Sequence, residues 1–230
     1  MVIAEYSRWG LSVSKKKTEY KVFNAPPVPV EIDGWMLYPS KEFKYLGYWL
    51  SSTGTSETDI EHKVNNGKKI MNALNATLWS KEIGIKTKRK IYHSFVESVA
   101  TYAAENWTLS RRAEGSLLAL EMDFWRRSSG VSRLQRVPNS EIREKAKVEK
   151  TILYTIETKR LKWYGHLMRM DEDRWPRRIH SFTPQERRKR GRPRKRWMEG
   201  VEQAMAAKGL REGDWEDRER WLLGVGDMIA

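Results

Sequence analysis

The stretch Arg187-Arg188-Lys189-Arg190-Gly191-Arg192-Pro193-Arg194-Lys195-Arg196 carries the densest chemistry in the chain, with eight cations in ten positions. Guanidinium and ammonium groups at this density make and break no bonds; they neutralise phosphates. Gly191 and Pro193 keep the middle extended, so Arg190, Arg192 and Arg194 do not gather on one helical turn. An extended Arg-Gly-Arg-Pro suits a narrow groove in which the guanidiniums follow the phosphate track. Three uses fit the stretch: nucleic-acid contact, a nuclear import signal, or a solvated linker. The first two can coexist.

A second constellation is Trp163-Tyr164-Gly165-His166, preceded by Lys159-Arg160-Leu161-Lys162. Aromatic rings interleaved with cations can stack on unpaired bases while the charges hold phosphates. The competing use is plain packing, because positions 163, 167 and 170 share one helical face. His166 is a poor metal ligand: His62, His93 and His180 show no ligand spacing, and the chain has no cysteine. The acidic run Met170-Asp171-Glu172-Asp173-Arg174 reads as a solvated turn, since two-metal sites draw carboxylates from separate elements. Lys86, Lys88, Arg89 and Lys90 fall at a helix start, where the macrodipole disfavours cations. Their placement points to a bound phosphate or to an exposed turn. The sequence shows neither a Ser/His/Asp pattern nor a phosphate loop of the P-loop kind.

The charge is local. The 230 residues hold 44 basic and 30 acidic side chains, a net +14. Residues 1–158 carry 25 basic and 18 acidic groups, residues 159–197 carry 15 and 4, and residues 198–230 carry 4 and 8. A short stretch therefore holds most of the excess, the footprint of a polyanion partner. The absence of cysteine excludes disulfides, thiolate nucleophiles and Cys-based zinc sites. With 11 Trp, 9 Tyr and 5 Phe the chain is too aromatic to be disordered. No apolar run approaches the roughly 20 residues of a membrane span, and no signal peptide is expected at the start.

These residues need elements to hold them. The pattern predicts the end of a helix from Ile3 to Trp9, stopped at Gly10, then strand candidates at 11–14 and 20–23. Ala25-Pro26-Pro27-Val28-Pro29 breaks regular structure. Asp33-Gly34 between apolar runs predicts a hairpin, and 45–50 reads as one more strand. Beyond residue 50 the period becomes helical. Ile60, Val64, Gly67, Met71, Leu74 and Leu78 form one face; Ile91, Phe95, Val99, Tyr102 and Asn106 a second, widened by Tyr92, Val96 and Ala103. Leu117, Leu118, Glu121, Phe124 and Trp125 lie on a third helix; Ile152, Ile156, Trp163, Leu167 and Met170 on a fourth. A fifth spans Arg194 to Lys208, with Gly209 as its C-cap. A small sheet followed by helices is α+β.

Five of these stretches, in order, resemble the reverse transcriptases of non-LTR retrotransposons. Gly10 to Thr18 is similar to the "glycine-leucine, then lysine-threonine" stretch that follows that family's catalytic hairpin. Phe43-Lys44-Tyr45-Leu46-Gly47 resembles its primer-grip strand, and Ile91 to Trp107 its thumb helix. That helix ends in Tyr-Gly-x-Glu-x-Trp in the family and in Tyr102-Ala103-Ala104-Glu105-Asn106-Trp107 here. Leu161 to Met170 and Gly191 to Trp197 resemble the family's tail blocks. The resemblance implies an antiparallel palm remnant over 1–50, a helical thumb over 51–135 and a basic helical C-terminal region over 136–230.

By the same resemblance, Lys17 lies near an incoming nucleotide's phosphates, and Tyr45, Leu46 and Gly47 hold the primer end. Lys86, Lys88, Arg89 and Lys90 face the template–primer duplex. Trp163, His166 and the 187–196 cations (Arg187, Arg188, Lys189, Arg190, Arg192, Arg194, Lys195, Arg196) hold RNA or DNA. The family's metal-binding aspartates are missing, for no Asp-Asp pair occurs in the sequence. The chain is thus expected to start downstream of the catalytic turn and to be inactive alone. No cofactor is expected, magnesium belonging to the missing motifs. The expected partner is RNA or DNA, with no membrane; another chain would supply the rest of a polymerase. The basic run favours the nucleus. Two alternatives remain: a repurposed DNA-binding protein using Arg-Gly-Arg-Pro, which resembles the AT-hook, and a translation product without function.

Overall fold

The computed structural model describes residues 2–23, 25–32, 34–182 and 195–226, and the fold is α+β. It comprises two compact units, residues 1–59 and 60–230.

In the first unit, helix α1 (Val2–Arg8) ends at Gly10, whose φ of +70° suits a residue without Cβ. Strands β1 (Val30–Ile32) and β2 (Trp35–Leu37) pair antiparallel with Ile32 opposite Trp35. The hairpin thus turns where Asp33-Gly34 predicted; Gly34 sits at φ +75°, and Asp33 is outside the described residues. The expected strands at 11–14 and 20–23 do not form. Tyr20 makes only an isolated parallel bridge to Pro39. Alternating side chains do not make a strand when no neighbouring edge supplies a ladder. The expected strand over 45–50 is also corrected. Strands β3 (Glu42–Tyr45) and β4 (Tyr48–Ser51) pair with Tyr45 opposite Tyr48, leaving Leu46-Gly47 as a two-residue turn. Both have positive φ, +47° and +81°, as a type I′ turn demands.

The second unit is helical. Helix α2 (Glu57–Ala73) begins just before it, with Glu57 and Asp59 at its positive end. Ile60, Val64 and Met71 are buried as the spacing predicted, and Gly67 lets Leu120 lie where a Cβ would stand. Helix α3 (Asn75–Trp79) continues the face with Leu78. The next face departs from expectation. Helix α4 (Ile85–Ile91) runs into a π-helical stretch, Tyr92–Glu97, then into α5 (Ser98–Ala100) and a 3₁₀ turn, Ala104–Asn106. The buried positions are Tyr92, Val96, Ala100 and Ala104, four apart, while Phe95 and Tyr102 are exposed. A π-helix closes i→i+5 rings, so each turn takes more residues than 3.6 and the inward face moves on by one.

Helix α6 (Arg111–Ser128) starts where the Ser110 hydroxyl accepts from Ala113 N–H at 3.1 Å, and buries Leu117, Leu120, Phe124 and Trp125. Helix α7 (Asn139–Ala146) leads to α8 (Ile152–Met168), which packs on both α6 and the 104–106 turn. Helices α6 and α8, one from each of the stretches expected as thumb and as C-terminal region, pack on each other. Helix α9 (Trp175–Ser181) follows, then α10 (Trp197–Ala207) and α11 (Arg218–Val225). Gly209 at φ +66° closes α10, with Leu210 N–H donating to Met205 C=O at 2.9 Å. Leu161, Tyr164, Val201, Trp215, Trp221 and Val225 form the core of this end. Gly165 is obligatory there: a Cβ would lie 2.2 Å from Trp221 Nε1, which donates to Leu161 C=O at 3.0 Å. No described helix is long and apolar enough to cross a membrane.

Candidate nucleic-acid interface

Lys17 is exposed in the turn over 15–17, where its N–H donates to Ser14 C=O at 3.1 Å. Tyr45, Leu46 and Gly47 form the tip of the second hairpin, with Tyr45 and Leu46 exposed.

Of the α4 cations, Lys86 and Lys90 are exposed one helical turn apart, and Arg89 is half-buried. Lys88 is not a phosphate contact. It is buried, and its ammonium donates to Ser80 C=O at 2.7 Å and Ser128 C=O at 3.1 Å. Burial pushes its pKa down, because the interior disfavours the charge. A cation misplaced for the macrodipole is thus explained by carbonyls at the ends of two helices that need a donor.

Helix α8 corrects the core face on which Trp163 was expected. The core position goes to Tyr164, whose ring lies 5.4 Å from that of Trp215. Trp163 is half-buried, with its ring 5.7 Å from that of the exposed His166. The preceding cations turn inward. Lys159 donates to Thr101 C=O and Thr101 Oγ1, both at 2.8 Å. Arg160 is buried and donates to Trp107 C=O at 3.0 Å and Gly200 C=O at 3.4 Å. Desolvation lowers the pKa of both side chains.

The start of α10 converges on the same segment. Trp197 Nε1 donates to Glu105 C=O at 2.7 Å and Lys195 Nζ to Leu109 C=O at 3.4 Å. Residues 101–109 leave α5 without a regular helix, so their carbonyls lack a ladder and take these donors instead. Within the segment Ala103 adopts φ +60°, a conformation that glycine enters freely and alanine does not. Arg196 is exposed and its N–H donates to Glu199 at 3.1 Å. Arg187, Arg188, Lys189, Arg190, Arg192 and Arg194 lie outside the described residues.

A surface that spacing alone did not reveal lies on α9. Trp175, Ile179 and Phe182 are 70%, 68% and 70% exposed. Their i, i+4, i+7 spacing looks like a core stripe. Instead the Arg178 guanidinium lies 4.7 Å above the Trp175 ring, and Arg174 is exposed beside it. Aromatic faces under guanidiniums are the groups that stack unpaired bases and hold their phosphates. The only sequence signal was the charge of residues 159–197.

No family model, curated protein or solved structure matches the chain.

Proposed function

We propose that this chain binds nucleic acid and corresponds to the palm end, thumb and basic tail of a non-LTR retrotransposon reverse transcriptase, without polymerase activity of its own. The observation that carries the binding half is the α9 surface, where Trp175 and Phe182 are exposed beside Arg174 and Arg178, and which precedes in sequence a run of eight cations in ten residues. Sequence-independent affinity comes from releasing counterions at the phosphates, and stacking adds a preference for unpaired bases. The family half is supported by Ala103, which holds a left-handed φ at the position where the resembled motif carries glycine. It is supported too by the ties that draw Lys159, Arg160 and Trp197 onto the 101–107 segment. The missing aspartates carry the inactive half, because phosphoryl transfer needs carboxylates to hold its metal ions.

The test is a salt titration of binding to duplex and to primer–template. A stripe touching about six phosphates gives a log–log slope near −5 on duplex. Changing Arg190, Arg192 and Arg194 together to Ala is expected to weaken binding about tenfold or more. A flat salt response overturns nucleic-acid binding, and a loss confined to AT-rich duplex turns the reading toward the AT-hook alternative. DNA synthesis on a primed RNA template, by protein free of contaminating polymerase, overturns the inactive half.

A further inference from the structure

The start of the π-helical stretch and the segment after α7 line an open cavity of about 260 Å³. Arg89, His93, Lys147 and Lys150 line it, and Tyr92 and Trp125 are its buried aromatic walls. Glu149 is the one carboxylate on the lining. Among the described residues neither Arg89 nor Lys147 has an ion-paired or hydrogen-bonded side-chain partner. The two carboxylates nearest the walls are engaged elsewhere. Glu97 holds His93 Nδ1 at 2.6 Å and accepts from Thr155 Oγ1 at 2.7 Å. Glu121 accepts from Ile152 N–H at 3.1 Å and faces Arg143 at 3.5 Å. Glu149 is a single negative charge among the lining cations, and an anion entering between Arg89 and Lys147 relieves the repulsion that remains.

The backbone holds the cavity open in two uncommon ways. Tyr92 and His93 open the π-helical stretch, a geometry that recurs at functional sites. Lys147 takes φ +52° just past α7, where glycine is the usual residue. A strained lysine there keeps a cation on the cavity wall that glycine would not supply. The Tyr92 and Trp125 rings, buried with their centroids 4.7 Å apart, give the site an apolar floor as well as a charged rim. The volume falls just below the roughly 300 Å³ at which pockets for drug-sized ligands begin. It has no room for a duplex.

We infer that this cavity binds a nucleotide-sized phosphomonoester, with Arg89 and Lys147 taking the phosphate and the attached ring lying over the floor that Tyr92 and Trp125 form, while Lys150 stays over the Tyr154 ring. The site deepens the nucleic-acid reading if the ligand is the 5′-phosphorylated end of a strand, and stands apart from it if the ligand is a free mononucleotide. Calorimetric titration of the full chain with adenosine 5′-monophosphate, adenosine and inorganic phosphate tests it. A second measurement compares short single strands with and without a 5′-phosphate. The monophosphate is expected to bind at least about tenfold more tightly than adenosine, the margin one charge-assisted contact supplies. Lys147→Gly removes the cation and relieves the backbone, so it is expected to raise the Tm while weakening the monophosphate about tenfold. Arg89→Ala is expected to weaken it similarly, and Lys86→Ala with Lys90→Ala to leave it unchanged.

A 5′-phosphate that strengthens strand binding tenfold, lost in Lys147→Gly, identifies the strand end as the ligand. A 5′-phosphate without effect, with the monophosphate still bound, identifies the free nucleotide. Failure of every phosphorylated probe to bind overturns the inference. Monophosphate binding that survives both Lys147→Gly and Arg89→Ala overturns it too. Duplex binding is expected to be unaffected by Lys147→Gly, so failure here is distinguishable from failure of the function proposed above.

Discussion

The two units place their apolar side chains in opposite ways. In residues 1–59 Trp9, Leu11, Tyr38 and Leu46 are 76%, 57%, 68% and 77% exposed. Every buried hydrophobic residue among those described lies between Ile60 and Val225. The first unit pairs its strands in two separate two-stranded sheets, and its further ties are polar. Trp49 N–H donates to Asp59 at 3.0 Å, and the Tyr48 hydroxyl to Ser56 Oγ at 3.2 Å. Strands of three or four residues offer too little one-sided surface for a core, and an isolated hairpin is marginal in water. The second unit has helices of up to 18 residues, and their stripes interlock through glycines and buried tryptophans. Local pairing sets shape in the first unit; packing sets stability in the second.

Hydrogen exchange gives the largest contrast. Amides of β1 to β4 are expected to exchange within about 100-fold of an unfolded chain, while those of α6 and α8 are protected at least about 1,000-fold more. Equal protection in both units breaks the comparison.

Truncating tryptophans sharpens it. Trp221→Ala is expected to cost about 3–5 kcal/mol in urea unfolding, because it leaves a cavity and frees Leu161 C=O. Gly165→Ala costs about 1–3 kcal/mol by driving a methyl into the same indole. Trp9→Ala stays within about 0.5 kcal/mol, as for other exposed positions.

Lys88 separates packing from binding inside one helix. Lys88→Met is expected to lower stability by about 1–3 kcal/mol, since two carbonyls lose their donor, and to leave nucleic-acid affinity unchanged. Lys86→Ala with Lys90→Ala should do the reverse, with stability held and primer–template binding weakened. Thermal melts and anisotropy titrations on the same preparations read both.

The left-handed residues test the two units at the same backbone geometry. Ala103→Gly relieves a strain of about 1–2 kcal/mol, partly offset by the greater freedom of the unfolded chain, for a net gain of up to about 1 kcal/mol. Leu46→Gly relieves the same strain in the hairpin tip, but global unfolding barely registers it if the first unit opens independently. Equal gains would join the units into one cooperative block.

The smallest effect is a pH dependence at His93. Its hydrogen bond to Glu97 raises its pKa above the ordinary 6.5, outweighing the opposing effect of burial. Protonation therefore favours the folded state. The stabilisation is full below 6.5 and is lost as pH rises through the higher folded value. The Tm gap between the parent and His93→Gln should accordingly shrink from pH 6 to pH 8. The side chain is mostly exposed, so the change is modest. A gap that widens with pH contradicts the pairing.

Much of the framework is legible in the sequence because it follows from local stereochemistry. Gly10, Gly34 and Gly209 stop or turn the chain where positive φ is needed, and the Ile60–Leu78 stripe and α6 follow the helical period. The concentration of cations in 159–197 is likewise plain from composition. The Leu46-Gly47 turn was read as strand because leucine rarely takes φ +47°, so the pattern gave no turn signal there.

Tertiary structure alone decided which residues those patterns turn inward. The π-helical stretch rotates Phe95 and Tyr102 out and Ala100 and Ala104 in, a shift of one position that no 3.6-residue count contains. Lys88, Lys159 and Arg160, which look like phosphate contacts, point inward onto the Ser80, Ser128, Thr101 and Trp107 carbonyls, which lie where regular helix ends. Trp175, Ile179 and Phe182, which look like core, stay outside because no described helix covers their stripe. Spacing says which side chains share a face. Whether that face meets carbonyls, a core or solvent depends on chain segments far away in sequence, and only the packed fold brings them together.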